Sequence, residues 1–421
     1  MLPESEIEAL VQGLFSPDRA YECNRRLYLE SLAPRALPFL LAAMKDPRVA
    51  SDATYDDGDL NYQSPLVHVS GLLGKSGSPE AAPPLLDLLN HPEACVREHV
   101  GMCLGELAQP TCIEAVMQLL ANDDPEVRHS VMCGIAHALN GTAGTPQFYR
   151  GIWPCLIPLL RVEVPPHSFE YAAKLLAEID SVSAAPILLG ALSLDNPQLR
   201  YVLEALNERR IPIPHKTLLP LIAELEPLVD MHPRDYEFAE ALLAYARNPD
   251  TGTESRLREF LHSSNEGVKS GAAKALACLN SIEGHYSTLV KLANEKGVDA
   301  LTEAERNYYT AALYYYEIFN GGPWQYINNP TADYHIQIIE GLRAIGAHNA
   351  AQVLCELGNA FGPSGPSANR ELRNDQADAL TEQQCSVIWN LYEQFPSPGE
   401  NIMMLLDLYA AANAADFPHC K

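Results

Sequence analysis

The chain has 421 residues, of which 47% are hydrophobic and 20% charged, a globular rather than a disordered composition. It contains no apolar run of 18 residues and no basic, apolar leader, so neither a membrane span nor a secretory peptide is expected. Acidic residues number 54 against 29 basic ones, and the resulting charge of −25 repels nucleic acid and anionic lipid while steering basic partners toward the surface.

Along the chain the first signal is repetition. Pro83–Leu107 and Ile113–Leu139 each read as an apolar helix, a turn with Asp, Asn or His before Pro, a Val-Arg pair and a second apolar helix. Within the second helices Val96, Val100, Leu104 and Leu107 match Val127, Val131, Ile135 and Ala138 at offsets 0, 4, 8 and 11, which is one helical face. Val268, Ala272, Leu276 and Leu279 repeat those offsets. Fainter copies open at Leu37–Met44, Cys155–Leu160, Ile187–Leu192, Leu218–Leu225 and Leu257–Leu261. One helix pair cannot bury its apolar stripe alone, so the pairs are expected to stack on their neighbours. Each proline after Asp or Asn ends one helix and lets the chain restart for the next.

The longest turn insertion is Ala50–Ser64, ASDATYDDGDLNYQS. It has no apolar period and is expected to be an exposed loop. Asp52, Asp56, Asp57 and Asp59, beside Tyr55 and Tyr62, make it a candidate for reaching into a basic cleft, where charge pairing raises the association rate.

This pattern resembles the HEAT-repeat family in its short bacterial form, over roughly residues 30–282. The family's Asp-Pro-x-Val-Arg turn stands here as Asp124-Pro125-Glu126-Val127-Arg128, and in altered form as Asp46-Pro47-Arg48-Val49 and Asn196-Pro197-Gln198-Leu199-Arg200. Glu170 and Glu237 occupy positions where a basic residue is usual, leaving those repeats either without the inter-repeat ion pair or with another partner.

After about residue 285 the pattern changes. Leu301–Gly322 reads as a helix with a capping box, Thr302 with Glu305, ended by Asn320-Gly321-Gly322-Pro323. Helices are expected at Tyr334–Ile345, Ala350–Phe361, Glu382–Phe395 and Glu400–Ala411. On the first of these helices Tyr308, Tyr315 and Phe319 share one face, and Tyr309 and Tyr316 another. One set is expected in the core and the other toward a partner, since tyrosine gives large contact area at small entropic cost.

Asn320-Gly321-Gly322, Gln325-Tyr326 and Asn328, followed by Leu342-Arg343-Ala344-Ile345-Gly346-Ala347, resemble a bacterial family whose best known member is an acidic DNA-mimic protein. The likeness covers about residues 295–415, with Pro323-Trp324 standing where an aromatic directly after the glycines is expected. It implies an all-helical domain that acts by binding, with Trp324, Gln325 and Tyr326 as candidate contacts. Residues 301–421 carry 14 acidic and 5 basic residues, and the first 300 carry 40 and 24, so the charge is spread over both parts.

Chemistry is sparse. Cys95 and His99, and His129, Cys133 and His137, are four-step ladders that place potential ligands on one helix face. They lie on repeat helices where small and polar residues are common, and are read as packing rather than as a metal site. No phosphate loop, His-Glu-x-x-His or Gly-x-Ser-x-Gly occurs, so no catalytic residue and no cofactor is assigned. HEAT-like proteins include a family that attaches bilin pigments, and nothing besides the repeat points to it here. None of the ten cysteines forms a Cys-x-x-Cys pair, which suits reduced thiols in a cytoplasmic protein.

The expectation is therefore all-α: a HEAT-type right-handed solenoid of about seven helix pairs over 1–285 and a smaller helical domain over 286–421. The function expected is that of a non-enzymatic acidic inhibitor whose protein partner has a basic surface, foremost the immunity protein of a bacterial toxin such as a nuclease. Alternatives are a DNA-mimic regulator that sequesters a DNA-binding protein, and an assembly scaffold. Direct nucleic-acid or membrane binding is not expected.

Overall fold

A computed structural model describes residues 2–15, 28–50, 64–141, 144–161, 164–280, 285–394 and 400–420. The insertion carrying Asp52, Tyr55, Asp56, Asp57, Asp59 and Tyr62 lies outside the described residues. Among those described the fold is all-α, with no strand. The chain forms two compact units, Met1–Ile211 and Pro212–Lys421.

The first unit opens with α1 (Glu4–Gln12) and continues as five helix pairs. These are α2 (Ala33–Ala43) with α3 (Pro65–Lys75), α4 (Ala82–Leu88) with α5 (Ala94–Leu107), and α6 (Ile113–Leu120) with α7 (Pro125–Gly141). Then follow α8 (Pro146–Leu156) with α9 (Pro166–Ile179), and α10 (Ser181–Gly190) with α11 (Leu199–Glu208). The second helices pack in succession, α3 on α5, α5 on α7, α7 on α9 and α9 on α11. Val96, Val100, Leu104 and Leu107 are fully buried, as are Val131 and Ile135, so the periodic face is the face that stacks. Val127, in the first turn of α7, is only half-buried.

Close approach of α5 and α7 depends on missing side chains. A Cβ on Gly105 would lie 2.5 Å from the Val131 carbonyl oxygen. One on Gly134 would overlap the Met102 carbonyl and sit 2.9 Å from the Glu106 nitrogen. Glycine costs helix propensity at both positions, and the backbone contact it permits is what the sites require.

The turn arginines work locally. Arg97 Nη1 donates to the carbonyls of His91 and Pro92, each at 2.7 Å, and Arg128 Nη1 donates to that of Asn122. Where Glu170 replaces the basic residue the polarity is reversed. It accepts from Lys174 at 2.9 Å, and Lys174 also reaches Glu204 and Glu208 on the next second helix. Glu237, 1% exposed, pairs with Arg234 at 2.7 Å. Both departures from the repeat pattern thus have another partner.

The second unit begins with two further pairs, α12 (His215–Leu225) with α13 (Arg234–Arg247) and α14 (Thr253–Phe260) with α15 (Glu266–Leu279). With these the described residues hold seven pairs. Next come α16 (His285–Lys296), α17 (Glu303–Asn328), α18 (His335–Ala344), α19 (His348–Asn359), α20 (Arg370–Asp378), α21 (Glu382–Tyr392) and α22 (Ile402–Ala412). The sequence pattern changes near residue 285, yet the compact units divide at 211/212. One reason lies inside the second unit: α13 packs on α15, and α15 on α22, so the last helix takes the place of a next repeat's second helix. No helix among the described residues is long and apolar enough to cross a membrane.

Candidate protein-binding surface

The second unit's surface is organised by the break in α17. Thr302 and Glu305 form the expected capping box at its start. The helix then runs to Asn320, where Gly321 and Gly322 leave helical geometry. Gly322 has φ +70°, a left-handed backbone that favours glycine, and Pro323 restarts the chain without an N–H to satisfy. The segment after the glycines is helical again through Asn328, so Asn320–Pro323 is a break within α17 rather than its end.

Polar groups lock the broken ends together. Glu317, before the break, accepts from Gln325 Nε2 at 2.9 Å, Asn329 Nδ2 at 2.8 Å and Thr331 Oγ1 at 3.0 Å. The Tyr326 hydroxyl pairs with His335 Nδ1 at 2.9 Å, and its ring meets Tyr314 edge-on. Burial, helped by the charge of Arg373, lowers His335 to about 4, so the imidazole is neutral at ordinary pH.

Arg373, fully buried, pins α20 to this segment. Its guanidinium donates to the carbonyls of Ile327 at 2.7 Å, Asn329 at 2.9 Å and Ser367 at 2.5 Å, and pairs with Asp333 Oδ1 at 2.8 Å. A charge so enclosed is tolerable because nearly every donor finds an acceptor. Pinned on one side, α20 turns Glu371, Asp375 and Asp378 to solvent, and Glu382 follows at the start of α21. Offsets of 4 and 7 residues put the three α20 carboxylates on one face. Among the described residues of 301–420, nine carboxylates are exposed against two basic side chains, Arg343 and Arg370. That anionic surface is where a basic partner would be steered.

The expected contacts divide. Trp324 and Gln325 are half-buried, the first packed on the core and the second engaged with Glu317. Tyr326 is 0% exposed and is a core residue, so its proposed role at a partner surface is withdrawn. The tyrosine faces divide along the helix rather than around it. Tyr308, Tyr309 and Tyr314 are buried, whereas Tyr316 and Phe319, one from each expected face, are 39% and 54% exposed. The first half of α17 is enclosed by neighbouring helices, and the part approaching the break is not. Arg373 was missed altogether. Its one sequence signal was a basic residue opposite the carboxylates of a short polar helix.

In the first unit the cysteine–histidine ladders do pack. His99 Nε2 lies 3.0 Å from Ser70 Oγ and 3.5 Å from Cys103 Sγ. His129 Nε2 lies 3.5 Å from Cys133 Sγ, and its ring meets Tyr171 edge-on. Among the described residues no group of three or more His, Cys, Asp or Glu is disposed to hold a metal ion.

Fold and surface together define an α-helical repeat protein joined to a helical domain with an anionic face. Residues 299–413 match the family model described as DMP19-like protein, and residues 68–136 match that for HEAT repeats. Among curated proteins none matches. A solved structure, the complex of CpcE and CpcF of phycocyanin lyase from Nostoc sp., is 18% identical with a TM-score of 0.33, covering 67% of this chain and 95% of that one.

Proposed function

We propose that this protein is a non-catalytic acidic binder that sequesters a DNA-binding protein by covering its basic face. The observation that carries the reading is the surface of residues 301–420, with nine exposed carboxylates, three of them aligned on α20, against two exposed arginines. It coincides with the segment that matches DMP19-like proteins, a family of DNA mimics. Carboxylates held on a rigid helix attract the lysines and arginines that otherwise meet phosphates. The immunity-protein reading rests on charge and scaffold alone, so sequestration is preferred to it.

The test is capture from a native lysate on the full chain at low salt, followed by challenge with duplex DNA. A captured DNA-binding protein, displaced by DNA and unable to hold DNA in the presence of the chain, is the expected result. Glu371→Gln, Asp375→Asn and Asp378→Asn together should flatten the salt dependence of that complex while leaving helicity unchanged. Capture of a toxic enzyme with no affinity for DNA would shift the reading to immunity. Absence of any salt-sensitive partner would remove it.

A further inference from the structure

Before the break in α17 lies a chain of aromatic rings the sequestration reading does not use. Phe319 and Tyr315 have ring centroids 4.5 Å apart, Tyr315 and Tyr316 5.6 Å, and Tyr316 and Tyr286 of α16 4.8 Å. The chain continues inward to Tyr309, 6.3 Å from Tyr286. Its outer members, Phe319 and Tyr316, are exposed, and Tyr315 is partly buried against the core.

A negative charge accompanies these rings. Glu317 lies between Tyr316 and Ile318 on α17, and its hydrogen bonds come from two amides and a hydroxyl, all neutral. Among the described residues no basic side chain pairs with it. A carboxylate held by three donors is fixed in place, and none of those donors brings a positive charge. Its field reaches the rings: burial pushes the Tyr286 phenol up to about 12, with Tyr309, Tyr316 and Glu317 adding to the rise.

An aromatic strip with an uncompensated carboxylate beside it is complementary to a cation that is also flat. We infer that the strip formed by Tyr286, Tyr316, Tyr315 and Phe319 is a docking platform for arginine side chains of a basic protein partner. Guanidinium stacks on an aromatic face while its edge keeps donors for water or carboxylate, and it sheds water more readily than ammonium. Lysine can also sit over a ring, but it lacks the flat stacking face and holds its water more strongly. The inference rests on the sequestration reading and sharpens it, since the rings add a stacking term that carboxylates alone do not supply.

The experiment uses the full chain with two peptides of equal length and charge, one of arginines and one of lysines, titrated at a series of salt concentrations. The native chain should bind the arginine peptide more tightly at every salt. Tyr316→Leu and Phe319→Leu should each weaken the arginine peptide about two- to five-fold, the scale of an exposed cation–π contact, and narrow its advantage over lysine. Tyr316→Phe keeps the ring and should keep the preference. Equal loss for both peptides, or none, would overturn the platform. If neutralising Glu371, Asp375 and Asp378 abolishes binding while the ring variants do not, the acidic surface stands and the platform falls. Failure of the native chain to bind either peptide at low salt would sink both.

Discussion

The repeat pairs of the first unit and the helices around α17 in the second hold together by different means. In the first, the second helices stack through aliphatic side chains and close glycine contacts, and the contacts recur with the repeat. In the second, single buried polar groups bridge segments far apart in the chain. Arg373 reaches back 46 residues to Ile327, and His419 donates its backbone N–H across 114 residues to Glu305. Glu305 serves two purposes there, completing the capping box and binding the C-terminal tail, where His419 Nδ1 lies 2.8 Å from its carboxylate and buried Phe417 meets Tyr308 edge-on. A repeat spreads its stability over many small equivalent contacts. The α17 region concentrates it in a few charged ones.

The contrast predicts how each part fails. Arg373→Met should have the largest effect, about 3–5 kcal/mol in denaturant unfolding, because it strands the carbonyls and Asp333 that the guanidinium served. The first unit should be spared, and uniform loss across both would show that they do not unfold separately. Gly134→Ala should cost about 1–3 kcal/mol through overpacking of α7 on α5. Gly190→Ala, where nothing lies within 4 Å of the new methyl, should instead be neutral or stabilising by up to about 1 kcal/mol, and a comparable loss there would refute the close-approach argument.

A smaller effect is expected from pH. Burial at the packed face of α22 raises Asp407 to about 7, with Lys274 opposing the shift. A carboxyl whose folded pKa exceeds its unfolded value favours the fold when protonated. Its contribution is full below about pH 4 and lost as pH rises through 7. Asp407→Asn should therefore raise the melting temperature near pH 8 and change little near pH 4. His335 has the opposite sign, its support being present above its usual pKa and lost as pH falls toward 4. A melting profile of the Asp407 variant unchanged from the native one across this range would remove that residue from the account.

Periodicity made the repeat pairs visible, because a stacked helix must present an apolar residue at each turn of one face. Val96, Val100, Leu104 and Leu107 could be named from spacing alone, and so could the capping box of α17. The glycines of α5 and α7 carried no such signal, since a glycine's role depends on which backbone lies opposite. Tyr326 reads as a candidate contact because it sits in the motif that carries the family resemblance, and its burial against Tyr314 and His335 shows it to be core.

The sequence by itself determined the all-α character, the repeat and the sign of the charge, because helical period, turn residues and net charge are local or additive quantities. Only the tertiary structure decided which carboxylates face outward together, which tyrosines are covered, and that α22 packs where another repeat would. Those outcomes depend on contacts between residues distant in the chain, and a buried arginine or a broken helix acquires its meaning from what it touches.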